Sequence, residues 1–428
     1  MKKVGVAILG LGAVGGGTYQ ILVDHREDYK NNYNVDIVVE NVLERNAERA
    51  KELGIDESTV VANIAEICSN PEVDIVVETM GGIEPAKTYL LAALNAGKSV
   101  VTSNKELFCK YSHELEKAAR HNRCGLFYEA TCVGGVPVIR TLLDNLQGNK
   151  INCIMGIMNG TANYILTKMS QNGICYDEAL KEAKSLGYAE ADLTSDVEGY
   201  DSVYKLSILS SLAFHKKIPY TKIYREGITG VDLTDIEFGK KLGYAIKLLA
   251  IGKDGNSGVE VRVHPSFVKY DHPLAGVNSN YNAVLISGDY VGDVMLYGRG
   301  AGAQHTGSAI VGDVIYCATH VNFQYSTFKN TEDALPTTKF KDNFGSAYYI
   351  RINATDKVGV LAKVSSIFSR CGISVAQMIQ GDAAADAQTV PIIFITHETK
   401  EFSVNKAVSE INSSVEAAQV ASVIRVVD

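Results

Sequence analysis

The 428-residue sequence has no Cys-x-x-Cys pair, no histidines at zinc-finger spacing, no excess of basic charge and no long uncharged apolar run. Each absence removes a class of protein. The eight cysteines, Cys68, Cys109, Cys124, Cys132, Cys153, Cys175, Cys317 and Cys371, are scattered. That spacing argues against a zinc module or a disulfide scaffold and suits free thiols in a reducing, cytoplasmic compartment. Lysine and arginine number 41 against 49 acidic residues, a net charge of −8. Without a basic face to neutralise phosphates, nucleic acid is not an expected partner. Leu206 to Phe214 is among the longest apolar runs, well short of the ~20 residues a membrane helix needs, so no membrane association is expected. What remains, 46% hydrophobic and 21% charged residues, is ordinary globular composition over a length that implies two or three domains.

Met1-Lys2-Lys3 and the uncharged stretch to Gly17 imitate a signal peptide, but the glycines point elsewhere. Val4 to Leu9 reads as a buried strand, followed at once by Gly10-Leu11-Gly12-Ala13-Val14-Gly15 and a helical stretch from Thr18. In a G-x-G-x-x-G turn, Gly10 permits the tight bend, Gly12 admits a pyrophosphate close to the backbone, and Gly15 lets helix and strand pack. The helix start around Ala13 and Val14 then offers free N–H groups to the phosphates. A second strand, Val35 to Leu43, ends among Glu40, Glu44 and Arg45. An acid there would favour the free ribose hydroxyls of NAD, whereas Arg45, with Arg49 and Lys51, could hold the 2′-phosphate of NADP. Both remain open.

Val73 to Glu78 runs into Thr79-Met80-Gly81-Gly82, and Ser99 to Thr102 runs into Ser103-Asn104-Lys105-Glu106. Alternating strands and helices predict a doubly wound parallel sheet, a Rossmann-type α/β domain. Ligands bind at the carboxyl ends of such strands, so Thr79, Gly81, Ser103 and Lys105 are expected to face the dinucleotide. From Glu129 the pattern changes. A two-glycine loop to Pro137 leads into a predicted helix Val138 to Leu146, a strand Ile151 to Met158, Asn159-Gly160-Thr161, and a helix from Ile165. The densest polar cluster, Glu190 through Asp196 and Asp201 to Lys205, enters the apolar helix Leu206 to Phe214. Asp201 and Lys205 at i and i+4 could be a surface pair stabilising the helix by only ~0.2–0.5 kcal/mol. Entry into an apolar helix instead implies a partly buried, tuned lysine.

These motifs together resemble homoserine dehydrogenase carrying a C-terminal ACT domain. The resemblance rests on Gly10-x-Gly12-x-x-Gly15, Ser103-Asn104-Lys105-Glu106, Glu129-Ala130-Thr131, Asn159-Gly160-Thr161, Asp196-x-x-Gly199-x-Asp201-x-x-x-Lys205 and Gly298-Arg299-Gly300-Ala301-Gly302, in family order. The sequence departs from the family pattern at Cys132, Ala162, Leu193 and His305-Thr306. The resemblance implies NAD(P)-dependent interconversion of aspartate 4-semialdehyde and homoserine, in threonine, methionine and isoleucine biosynthesis. It places Lys105, Lys205 and Asp201 as catalytic residues. Glu190, Gly160, Thr161 and Asp196 fall on the substrate side, and Gly302 falls with the cofactor residues. It also implies a Na⁺ site at Glu129, Cys132 and Gly134.

The implied architecture is a nucleotide domain (1–130, rejoined by about 303–322), an α+β catalytic and dimerisation domain (131–302), a linker (323–344) and a ferredoxin-like βαββαβ ACT domain (345–428). Asp356-x-x-Gly359-x-Leu361 resembles the ACT entry turn. ACT domains pair edge to edge and bind amino acids where they meet. The resemblance therefore implies a homodimer or homotetramer that senses threonine through Asp356, Gly359, Ser374 and Gln377; a chain truncated before Gly345 is expected to keep catalysis and lose threonine inhibition if an oligomer still forms. The alternatives are a dinucleotide- and amino-acid-binding sensor without turnover, or another NAD(P)-dependent amino-acid dehydrogenase.

Overall fold

The computed structural model describes residues 1–186, 193–320, 338–381, 389–415 and 417–427. Its N-terminal sheet contains β1 (Lys2–Leu9), β2 (Val35–Leu43), β3 (Val60–Val61), β4 (Ile75–Glu78), β5 (Ser99–Thr102) and β6 (Leu126–Phe127). The order is β3-β2-β1-β4-β5-β6, every pairing parallel. Helices cover both faces, which is why Val4–Leu9 of β1 and Ile75–Val77 of β4 are continuous apolar runs. Strand order reverses between β1 and β4, where a crevice opens at the carboxyl ends.

The helix Ala303–Thr319 returns to this unit and packs on the helix Ala13–Asp24. Glycines allow the close approach: a Cβ on Gly17 would lie 2.6 Å from the Ala303 carbonyl oxygen, and one on Gly307 3.0 Å from the Thr18 nitrogen. Ile310, Val311 and Val314 thereby join the core of Val6, Ile8 and Leu22.

The second sheet begins with β7 (Ile151–Ile157), β8 (Tyr224–Arg225), the long hairpin β9 (Tyr244–Gly255) and β10 (Gly258–Lys269), β11 (Tyr281–Gly288) and β12 (Gly292–Arg299). It continues into β13 (Gly345–Ala354), β14 (Val375–Gln380), β15 (Val390–Thr396), β16 (Thr399–Lys400) and β17 (Ala418–Val427). The C-terminal strands pair as β17-β13-β15-β14 with the helices Val360–Arg370 and Glu401–Ser414 on one face, the ferredoxin-like arrangement.

Three expectations change. The stretch Val138 to Leu146 is one α-turn, Val138–Arg140, followed by a π-turn, Thr141–Asn145, rather than a regular helix. The linker is not a free spacer where it is described. Val259 donates to the Lys339 carbonyl and accepts from the Lys341 amide, both at 2.8 Å, and Phe344 is buried; residues 323–337 lie outside the described residues. The C-terminal sheet spends one of its edges within the chain, since β17 pairs in parallel with β10 from Ser266–Arg425 to Val268–Val427. Among the described residues the remaining outer edge is β14, with Val375 and Met378 exposed.

Candidate active site

The glycine turn sits at the crevice as the motif requires. Gly10 has φ +89°, and a Cβ on Gly15 would stand 2.0 Å from the Gly10 carbonyl oxygen, so no other residue fits there. A Cβ on Gly12 would meet nothing within 4 Å, leaving open backbone at the start of the helix that carries Ala13 and Val14. That is the cradle a pyrophosphate needs. The Thr79 hydroxyl donates to the carbonyls of Leu9 (3.1 Å) and Gly10 (2.8 Å), tying the loop after β4 to the glycine turn.

Glu78 organises the same region, a role that no local sequence pattern marks. It is buried, its Oε1 accepts the Met80 and Gly81 amides, and its Oε2 accepts the Thr102 hydroxyl at 2.6 Å. Burial raises its pKa against those hydrogen bonds. Ser103 and Lys105 follow Thr102, and Asn104 caps the helix Lys105–Asn122 through the Leu107 amide.

At the end of β2 the charges divide their work. Glu44 accepts the Leu11 amide at 2.6 Å and the Asn46 amide at 2.9 Å, Arg49 donates to the Leu11 carbonyl at 3.0 Å, and Glu40 pairs with Lys3. Lys51 pairs with Glu57. Arg45 stands exposed beside them.

On the facing domain, Asp201 lies in the first turn of the helix Tyr200–Phe214. Its Oδ1 is 3.0 Å from Lys105 Nζ and its Oδ2 is 2.7 Å from Lys205 Nζ. The single carboxylate bridges both lysines across the domain seam. Burial alone would raise its pKa, but Lys205 and Lys105 outweigh it and hold the carboxyl well below the usual range. The charge of Asp201 in turn raises Lys105 against its own burial. Lys205 is buried and also donates to the Met158 carbonyl at 2.8 Å, whereas the Lys105 side chain keeps 40% exposure.

Asn159 completes the cluster. Its Oδ1 accepts the Ala162 amide, capping the helix Gly160–Asn172, while its Nδ2 donates to Asp196 Oδ1 at 2.6 Å and Asp201 Oδ2 at 2.8 Å. The signal was in the sequence: an asparagine ending an apolar strand just before a helix is an N-cap. Gly160 and Thr161 form the first turn beside it. Burial and the neighbouring Asp201 raise the pKa of Asp196. Glu190 lies outside the described residues.

The Glu129–Gly134 loop meets the strand end at Gly298–Gly302. Gly135 donates to the Arg299 carbonyl at 3.1 Å, a Cβ on Gly134 would lie 2.5 Å from the Gly300 carbonyl oxygen, and Gly302, φ +123°, precedes the helix back to the nucleotide unit. The Glu129 side chain is committed elsewhere, since its two oxygens accept the Ile139 and Arg140 amides at 2.8 and 2.7 Å. Burial pushes the Cys132 thiol up to about 12, so it stays protonated and supplies no thiolate. Among the described residues no group of three or more His, Cys, Asp or Glu side chains could hold a metal ion. A cation at this loop would have to take backbone carbonyls, and the left-handed pair Val133 (φ +49°) and Gly134 (φ +55°) turns successive peptide units there.

In the C-terminal unit, Asp356, Ser374 and Gln377 are exposed, and Gly359, φ +89°, opens the helix Val360–Arg370.

Comparison with known proteins agrees with this construction. Residues 10–129 match the family model of the homoserine dehydrogenase NAD-binding domain, 137–315 that of homoserine dehydrogenase, and 348–416 that of the ACT domain. The chain is 35% identical to the homoserine dehydrogenase of Bacillus subtilis, covering 100% of this chain and 99% of that one. It is 38% identical to that of Pseudomonas aeruginosa, covering 96% of each. A homoserine dehydrogenase structure from Thiobacillus denitrificans superposes with a TM-score of 0.92 at 38% identity, covering 100% and 99%. A hyperthermophilic archaeal homoserine dehydrogenase in complex with NADPH superposes at 0.64 and 30% identity, covering 75% of this chain and 100% of its own. These matches favour neither a sensor nor another amino-acid dehydrogenase. The chain belongs to the homoserine dehydrogenase family, NAD(P)-dependent enzymes built here from a Rossmann-like domain, a mixed-sheet catalytic domain and an ACT domain.

Proposed function

We propose that the site reduces L-aspartate 4-semialdehyde to L-homoserine, and runs the reverse oxidation, with Lys105 and Lys205 serving the reacting oxygen. The observation that carries this reading is the Asp201 carboxylate held between the two ammonium groups at the seam facing the nucleotide crevice. A bound nicotinamide dinucleotide would supply or accept hydride. Gly10, Gly12, Ala13, Val14 and Gly15 would hold its pyrophosphate, with Thr79, Gly81, Ser103, Lys105 and Gly302 lining the crevice.

As an aldehyde becomes an alkoxide, its oxygen needs positive charge and a proton. Lys105 is the more open of the two amines, so its ammonium can donate that proton while Lys205, anchored on Met158 and Asp201, adds charge and fixes the carboxylate. Asp196, Gly160 and Thr161 line the substrate side, where Glu190 would receive the substrate ammonium. Addition of homoserine with NADP or NAD should raise absorbance at 340 nm. No rise with either dinucleotide overturns the reading.

NADP is favoured over NAD because Glu44 is engaged with the glycine turn, leaving Arg45 to meet a 2′-phosphate. A Na⁺ ion is proposed on the Cys132 and Gly134 carbonyls with the Glu129 backbone. The proposal extends to a place in threonine, methionine and isoleucine biosynthesis and to threonine as an effector at Asp356, Gly359, Ser374 and Gln377, supported by the family and its ACT domain. A homodimer or homotetramer fits the open β14 edge. Eight free cysteines fit a cytoplasmic location. No described helix is long and apolar enough to cross a membrane.

A further inference from the structure

Among the described residues the ACT unit grips the catalytic unit through Arg351 and through Arg425, and the Arg425 contact falls on the segment beside the turn that carries Asp196. At the first, Asp235 accepts Arg351 Nε at 2.6 Å, Arg351 Nη2 at 3.1 Å and the Tyr349 hydroxyl at 2.8 Å. At the second, Arg425 of β17 donates to Glu226 Oε2 at 2.7 Å, to Glu226 Oε1 at 3.0 Å and to the Tyr224 hydroxyl at 2.9 Å, with Glu401 on its other side. Its side chain is 3% exposed.

Tyr224 and Glu226 flank Arg225, and these three residues form the short strand β8 and its exit. The Glu226 amide donates to the Val263 carbonyl at 2.8 Å, holding the segment on β10. From the same segment Arg225 reaches the other way. It donates to the Glu198 backbone carbonyl, to Glu198 Oε2 at 3.3 Å and to the Tyr200 hydroxyl at 3.0 Å, and its guanidinium stacks 3.8 Å from the Tyr200 ring. Just beyond, Ile228 donates to the Val197 carbonyl at 2.8 Å, Thr229 donates to Glu198 at 3.1 Å, and Gly227 packs so tightly that a Cβ would lie 2.5 Å from the Val197 oxygen. Residues 224–229 are therefore the wall of the turn Thr194–Gly199, which carries Asp196 and launches the helix of Asp201.

We propose that Arg425 is a positioning residue for the substrate side of the active site, acting through Glu226 and Arg225 on the Asp196–Asp201 turn. A buried arginine with a bidentate carboxylate on one side and a second carboxylate on the other holds a fixed geometry, and it orients the strand it grips. The route reaches Asp196 through the turn that carries it and bypasses the glycine turn, whereas Asp201 is held separately by Lys105 and Lys205. Displacing β17 therefore acts on the amino-acid substrate and spares the dinucleotide.

The proposal rests on the reading of Asp196 as a substrate-side residue, which turnover of the unaltered chain tests separately. The closing experiment uses the full-length protein with Arg425→Met, Arg425→Lys, Glu226→Gln and, as a docking control, Arg351→Met. Arg425→Met should raise KM for homoserine at least about fivefold, the lower end of ordinary coupling between sites, while KM for the dinucleotide stays unchanged. Arg425→Lys should recover part of the loss. The Arg425→Met, Glu226→Gln double variant should lose no more than the worse single one, because both lie on one path. Amide exchange across 194–201 should quicken in Arg425→Met and not in Arg351→Met, a readout that needs no turnover. Equal effects of Arg425→Met and Arg351→Met on homoserine KM and on exchange would show general loosening of the ACT unit and overturn the proposal, as would no effect of Arg425→Met on either.

Discussion

Lys105 Nζ and Asp201 Oδ1 stand 3.0 Å apart although one residue opens the helix after β5 of the nucleotide sheet and the other the helix behind the catalytic sheet. The contact crosses the seam between two domains through a carboxylate that Lys205 holds from its own helix. Neither lysine can move without altering the charge the other sees.

Replacing Lys105 or Lys205 with Met should lower kcat by ~10²–10⁴-fold, the usual size of general acid–base catalysis with its supporting charge. Dinucleotide affinity should survive in Lys205→Met, since that side chain faces Met158 and Asp201. Steady-state kinetics with fluorescence titration of NADPH checks both. Near-normal turnover in both variants would remove the lysines from the mechanism.

Arg45→Glu should weaken NADP roughly tenfold or more, about 1.4 kcal/mol, and leave NAD nearly unaffected. The side chain is exposed at the end of β2, and Glu44 is already bound to the glycine turn. Comparing kcat/KM for the two cofactors decides it; equal losses would place Arg45 outside the 2′-phosphate site.

Truncation before Gly345 is expected to cost more than regulation. It strips β17 from β10 and leaves Asp235, which is fully buried, without Arg351 and Tyr349. It also removes Tyr349, Ile424 and Val426 from the apolar core they share with Val263 and Phe267, and each buried side chain of that size contributes ~1.5–3 kcal/mol. The truncated chain should therefore melt well below the full chain in a thermal scan; equal melting temperatures would refute this. In the full-length protein, millimolar threonine should change the rate or the melting temperature. No change in either would leave the ACT unit a purely structural role.

His264 should make the fold acid-sensitive. Burial first, then the charges of Arg425 and Arg262, hold its imidazole well below the usual histidine range, so the native state keeps it neutral. An unfolded histidine titrates near ~6.5. Below that pH the unfolded chain binds a proton that the native chain does not, and stability falls with falling pH by up to ~1.4 kcal/mol per unit. Melting curves between pH 7 and 5 should be flatter for His264→Gln than for the unaltered chain; equal slopes would refute this.

Much of the nucleotide unit was legible because its signals are local. A strand, three glycines at fixed spacing and a helix act within one turn of chain, and the buried β1 and β4 advertise themselves as apolar runs. Asp201 and Lys205 were also legible, as an i,i+4 pair on an apolar helix. Asn159 was legible as a helix cap but not as the donor to two carboxylates, and Glu78 was not legible at all, because those roles lie in what each bonds across the site.

By itself the sequence determined the elements, their order and the chemistry available at each strand end, since propensity, periodicity and turn chemistry act between near neighbours. Tertiary structure alone decided which distant groups share an electric field. It brought Lys105 to Asp201, turned the Glu129 carboxylate onto Ile139 and Arg140, and spent the β17 edge on β10. Hydrogen bonds and ion pairs act over a few ångströms of space, whatever the separation along the chain. No pattern in one segment records which partner packing will deliver to it.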